Sequence, residues 1–377
     1  MKSKSNDTTT ILYEYLDYLQ RTRAPPGYAP DKDFDPKSVQ DNLKRVFKED
    51  TDEEIAEEMS KMKKRLDTKM PTELEDPGLY NILQSITSDV VQMATELNLV
   101  IPKEVVFGTL PTGEVNAIAI CVPGEGVVVA LNHGIFMFIY KLAKVVESFI
   151  PLKGEKDGFL IFSTLEKDIL HSLNINKEGH ICFIEILFGY LVLGHPGYAR
   201  RFKKNPPMHP VALLTGTAER FVVAHEYSHI ILRHSASGAS TEKRLLGNVE
   251  VEEIPRSWRD EPEADSLALQ ITMAINLKNR YDPSMSFAGI DFFFSCVEIL
   301  EQATGTGSSK SHPSAVIRRE TLREDVKTLS EGIKEKFSNH AEPTALGIVI
   351  QKIMSELWKR NQPKFEKMRS SASRKKD

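Results

Sequence analysis

His225-Glu226-Tyr227-Ser228-His229 is the run in this chain whose residue types and spacing could do chemistry. Residues four apart share one face of an α-helix, so the two imidazoles can grip one metal ion while Glu226, one position on, leans toward a water at that metal. The flanks, Phe221-Val222-Val223-Ala224 and Ile230-Ile231-Leu232, are apolar and free of Pro and Gly, as a buried helix requires. Catalytic zinc ordinarily takes three protein ligands and keeps one position open, so a third ligand is needed. Glu261-Pro262-Glu263-Ala264-Asp265 offers two acids four apart, and a carboxylate at Glu261 would complete a His/His/Glu set. Asp265, on the same face, would take the free N–H of an imidazole, most simply that of His225, and fix its tautomer. Pro262 costs nothing near a helix start, and Glu263 faces elsewhere. His234 turns off the ligand face and reads as a helix-end cation, and Tyr227 reads as packing. The implied chemistry is hydrolysis by metal-activated water. Zinc brings the pKa of water toward about 7, and a general base such as Glu226 is typically worth about 10² to 10⁴ in rate.

The elements that must position these residues are legible in outline. Thr215 to His234 reads as the metal helix, Pro262 to Leu277 as a second helix and Met285 to Thr304 as a third. Upstream, Leu79 to Leu99 has helical periodicity, Val115 to Val122 and Gly126 to Leu131 read as two strands of a hairpin, and Ile135 to Phe149 is helical again. Ile181 to Leu193 reads as a buried helix, too short and too charged to span a bilayer. Gly305-Thr306-Gly307-Ser308-Ser309-Lys310-Ser311 lacks the Gly before Lys of a phosphate loop and reads as a linker. Helical patterning resumes after His312 through Ile333, and Ala345 to Trp358 is a last apolar-faced helix. The fold expected is α+β and mainly helical, a zincin-like metalloprotease core with a small β-sheet and the HExxH helix. Its organisation is a helical N-terminal extension over 1–78, a metallopeptidase domain over 79–330 in which about 150–212 stands as an insertion relative to the short core of the family resembled below, and a C-terminal helix and basic tail over 331–377.

A chain of 377 residues with 41% hydrophobic content can bury a sizeable core. A net charge of −4 provides no field for nucleic acid. Cys121, Cys182 and Cys296 stand in apolar contexts with no CxxC pair and read as buried thiols. The first seven residues lack the apolar core of a signal peptide, so a cytoplasmic location and no membrane span are expected.

Three separated pieces, in order, resemble the HtpX, Oma-type and CAAX prenyl endopeptidase group, family 48 of the metallopeptidases, which are gluzincins. They are Asn116-Ala117-Ile118-Ala119 with Val127-Val128-Val129-Ala130-Leu131; the HExxH run with Arg233-His234 and Glu261 to Asp265; and Ser311-His312-Pro313-Ser314 with Arg318. Ile118 stands where the family has an aromatic residue. The resemblance implies a zinc endopeptidase with His225, His229 and Glu261 as ligands to one Zn²⁺ per chain, Glu226 as general base and Asp265 in support. It further implies Asn116 and His312 as groups flanking the reacting carbonyl, and Arg318 as partner to a nearby carboxylate such as Glu261. The expected function is therefore soluble, zinc-dependent cleavage of a protein or peptide substrate, held by main-chain pairing along the Asn116 strand. The alternatives are a catalytically silent scaffold of the same fold that binds a partner through residues 1–78, or a latent protease whose N-terminal or 150–212 segment covers the cleft until a partner or a cut removes it.

Overall fold

The computed structural model describes residues 4–30, 40, 51–66, 69–100, 104–122, 126–156, 159–195, 208–232, 243–246, 249–253, 258, 260–305, 313–332 and 342–373. It is mainly helical with a small mixed sheet. The helices are α1 (Lys4–Arg23), α2 (Asp52–Leu66), α3 (Pro77–Glu96), α4 (His133–Glu147), α5 (Glu166–Ile175), α6 (Lys177–Leu193), α7 (Met208–Ile231), α8 (Asp260–Lys278), α9 (Pro283–Thr304), α10 (Ala315–Gly332) and α11 (Ala345–Ser373). The strands are β1 (Val105–Leu110), β2 (Ala117–Val122), β3 (Gly126–Asn132), β4 (Leu152–Lys156), β5 (Phe159–Phe162), β6 (Lys243–Leu246) and β7 (Val249–Glu253).

Local chemistry sets several of these boundaries. Asp76 accepts from the Leu79 N–H with Pro77 in the first turn of α3, and Asp282 accepts from Ser284 and Met285 ahead of α9. Helices α6 and α9 both end on a glycine with φ of +73°, Gly194 and Gly305, a backbone conformation that glycine adopts without steric cost.

The main sheet runs β1-β3-β2-β7-β6, with β1 parallel to β3 and the other neighbours antiparallel. The expected β2–β3 hairpin is present, pairing Ala117 with Leu131 through Val122 with Gly126. Side chains alternate along a strand. Phe107, Ala117, Ala119, Val127, Val129 and Leu131 therefore join the large helical core, while Val106, Ile118, Ile120, Val122, Val128 and Ala130 form a second core under α1. Both faces are covered, which explains why β3 reads as an almost continuous apolar run.

Helix α1 is part of this packing: Leu12, Tyr15, Leu16 and Leu19 lie against the sheet face away from the other helices. Gly108 makes the approach possible, because a Cβ there would stand 2.2 Å from a Leu16 methyl. Helix α7 packs against α8, α9, α4 and α3 as well as β2 and β3, so its stretch from Phe221 to Ile230 is buried on all sides. Helix α6 differs from the expected buried helix. Cys182, Phe183, Ile186 and Leu187 are buried, but Ile181, Phe188, Val192 and Leu193 are exposed, so only one face joins the core. Among the described residues one helix, α9, is long and apolar enough to cross a membrane, and it is mostly buried within the protein.

Candidate metal centre

Helix α7 carries His225, Glu226 and His229, and α8 carries Glu261 and Asp265 in its first two turns. The two helices pack directly on each other, so the second delivers its acids to the imidazoles of the first. The Nε2 atoms of His225 and His229 are 3.1 Å apart. Glu261 Oε1 lies 3.4 Å from His229 Nε2, and Oε2 lies 3.6 Å from His225 Nε2. Two ring nitrogens this close share either a proton or a cation.

Several observations favour the cation. With zinc-like bonds of about 2.0 to 2.1 Å, a tetrahedral site has ligand-to-ligand edges of about 3.3 to 3.4 Å, close to the three separations here. His225 Nδ1 is 2.8 Å from Asp265 Oδ1, which places the ring proton on Nδ1 and leaves the Nε2 lone pair facing Glu261. Burial lowers the His225 pKa, and the opposing pull of Asp265 and Glu261 does not restore it, so the ring is held in the neutral form a metal requires. His225, His229 and Glu261 thus form a buried group that could hold a metal ion.

Arg318, from the first turn of α10, closes the far side. Its Nε and Nη2 each donate to Asp265 at 2.7 Å, and Nη1 lies 3.1 Å from Glu261 Oε2. The pairing expected with Glu261 is present, but the two-pronged contact is with Asp265. Burial would raise the Asp265 pKa, yet the charge and hydrogen bonds of Arg318 and His225 carry it below its ordinary value. Burial pulls the Arg318 pKa down instead, and Asp265, Glu261 and Glu226 overcome that and raise it. Glu226 therefore lies within the same electrostatic field, and its side chain is 2% exposed. Three carboxylates, Glu226, Glu261 and Asp265, face one guanidinium, leaving a formal charge of −2 that a divalent cation offsets. The wall is aromatic: the Arg318 guanidinium sits 5.0 Å over the Phe294 ring, and Phe221 packs against both Phe294 and His225.

The remaining sequence-predicted positions are placed as follows. Asn116 is exposed at the end of the β1–β2 turn, where its side-chain oxygen accepts from Asn132. Tyr227 is buried against Phe107, and Glu263 is exposed. His312, Arg233 and His234 lie outside the described residues. Sequence reasoning missed the aromatic wall of Phe221 and Phe294 and the partnership of Asn132 with Asn116. An apolar pattern tells which residues are buried but not which ring a cation meets.

Comparison with protein-family models, curated proteins and solved structures finds no match to this chain.

Proposed function

We propose that the protein is a zinc-dependent peptide-bond hydrolase. The observation that carries this reading is the convergence of His225, His229 and Glu261 at tetrahedral-edge separations beside Glu226, in a pocket whose formal charge is −2 without a cation. Two imidazoles and one carboxylate are a donor set suited to catalytic zinc, with room for one more ligand. When bound there, zinc supplies the Lewis acidity that makes water a nucleophile near neutral pH.

The chain's own residues perform the rest. His225, His229 and Glu261 would hold the ion, Asp265 keeps the His225 proton on Nδ1, and Arg318 anchors Glu261 and Asp265. Glu226 accepts a proton from the attacking water on its carboxylate and returns it to the departing amine. Strand β2, which pairs with β7 at Ile120 and Cys121, is proposed to hold an extended substrate by main-chain pairing. Asn116, immediately before β2, is proposed by resemblance to donate to a substrate carbonyl, and His312 is proposed as a second donor on the same ground.

The test is cleavage of denatured casein by zinc-loaded full-length protein. Glu226→Gln is expected to keep about one zinc per chain and to lose about 10² to 10⁴ in kcat. Normal cleavage by that variant would sink the reading.

A further inference from the structure

Asn132 stands immediately before α4, where an Asn side chain ordinarily caps the helix by accepting from an N–H two or three residues on. Here it makes no such cap. The fully buried side chain turns back to the β1–β2 turn instead. Its Nδ2 donates to the Asn116 backbone carbonyl at 2.8 Å and also to Asn116 Oδ1, while its Oδ1 accepts from the Thr112 hydroxyl at 2.7 Å. The Asn132 backbone N–H reaches the same Asn116 carbonyl at 3.2 Å.

These contacts fix which way round both amides stand. A backbone carbonyl can only accept, so the end of Asn132 that faces it must be the nitrogen. That nitrogen needs an oxygen from Asn116, so Asn116 Oδ1 points inward. The Nδ2–H donors of the exposed Asn116 are thereby left for the outer side. The turn has little freedom to relax. A Cβ on Gly134 would fall 2.0 Å from the Gly113 carbonyl oxygen, and one on Gly113 would fall 1.7 Å from that of Gly194.

We infer that Asn132 is a positioning residue for the hydrolysis proposed above: it sets the polarity of the Asn116 amide so that donors, rather than an acceptor, meet the carbonyl oxygen of an extended peptide. The inference rests on the hydrolase reading and adds to it the residue through which Asn116 acts. With the amide reversed, Asn116 would present an oxygen to an oxygen, which repels.

Asn132→Asp tests this, because it preserves shape while replacing the donor by an acceptor. The Asn116 amide should then turn over. For the zinc-loaded full chain acting on fluorogenic casein, Asn116→Ala and Asn132→Asp are each expected to lower kcat/KM by about 10- to 100-fold. The double variant should be no worse than Asn116→Ala, since both changes remove one interaction. Losses that multiply, or a wild-type rate for Asn132→Asp, would overturn the inference. Thr112→Val, which loosens the same bracket without adding charge, guards against a folding defect and should show a smaller loss that also vanishes in the Asn116→Ala background.

A second readout needs no activity. In side-chain amide spectra of asparagine-labelled protein, the Asn116 protons should exchange rapidly with solvent in the wild type, and one should become protected in Asn132→Asp. Protection already present in the wild type, or unchanged in the variant, would overturn the inference even if casein is cleaved. Failure of the wild type to cleave would count against the hydrolase reading, while these spectra would still decide the Asn116 orientation.

Discussion

His225 sits at a point of balance. Burial pushes its ring toward neutrality while Asp265 and Glu261 pull toward the cation, and Arg318 draws the two acids toward itself. Removing one member should expose the balance. Asp265→Asn keeps the volume but gives up the charge that orients His225 and pairs with Arg318. Its metal affinity, read by competition with a chromophoric chelator, should fall about 10- to 100-fold. Wild-type affinity in that variant would show that Asp265 does not support the ligand. Asp265 was legible from spacing alone, because two acids four apart on a helix must share a face. The two-pronged grip of Arg318 was not, since it depends on α10 being brought back over α8 from 53 residues away.

At the scale of elements, the metal helices were readable because their chemistry and apolar frames coincide, whereas their lengths were not. Helix α7 begins at Met208 rather than near Thr215: Pro206, Pro207 and Pro210 read as helix breakers in sequence, although a proline within the first turn is tolerated. Helix α11 continues through Pro363 rather than ending at Trp358, with Phe365 stacked on the Trp358 ring. Helix α1 reads as amphipathic in sequence through Ile11, Leu12, Tyr15, Leu16 and Leu19, but the sheet face that receives it cannot be seen from that pattern. Side chains also close the open edge of β1. Glu75 accepts from the Thr109 N–H at 2.6 Å, and Gln20 donates to the Thr109 carbonyl at 2.8 Å, taking the places a neighbouring strand would fill.

Burial pushes the Glu75 pKa up to about 7 despite these hydrogen bonds. A carboxyl raised on folding contributes stability that is complete below its unfolded pKa and is lost as pH rises through about 7. His133, beside Thr109 and lowered by burial to about 4, works in the opposite direction but is neutral in both states above its unfolded value of about 6.5. Between pH 6.5 and 8 the wild type should therefore lose stability relative to Glu75→Gln, measured by urea unfolding. Parallel stability curves would mean that Glu75 titrates normally.

For the whole molecule, two cores share one sheet, and the group that could hold a metal ion lies where the larger core's helices α7, α8 and α10 meet. The mainly helical α+β character was visible in the sequence because helical periodicity dominates it. The β6–β7 hairpin was not: Val249-Glu250-Val251-Glu252 alternates as a strand does, but so short a run among charged residues does not stand out, and its place beside β2 depends on tertiary pairing. The most direct test of the central claim is the metal content, by elemental mass spectrometry, of the purified full chain and three variants. The wild type and Glu226→Gln should each hold about one zinc, while His229→Ala and Glu261→Ala should hold little. Equal zinc in all four proteins, or none in the wild type after zinc loading, would contradict a centre built from His225, His229 and Glu261.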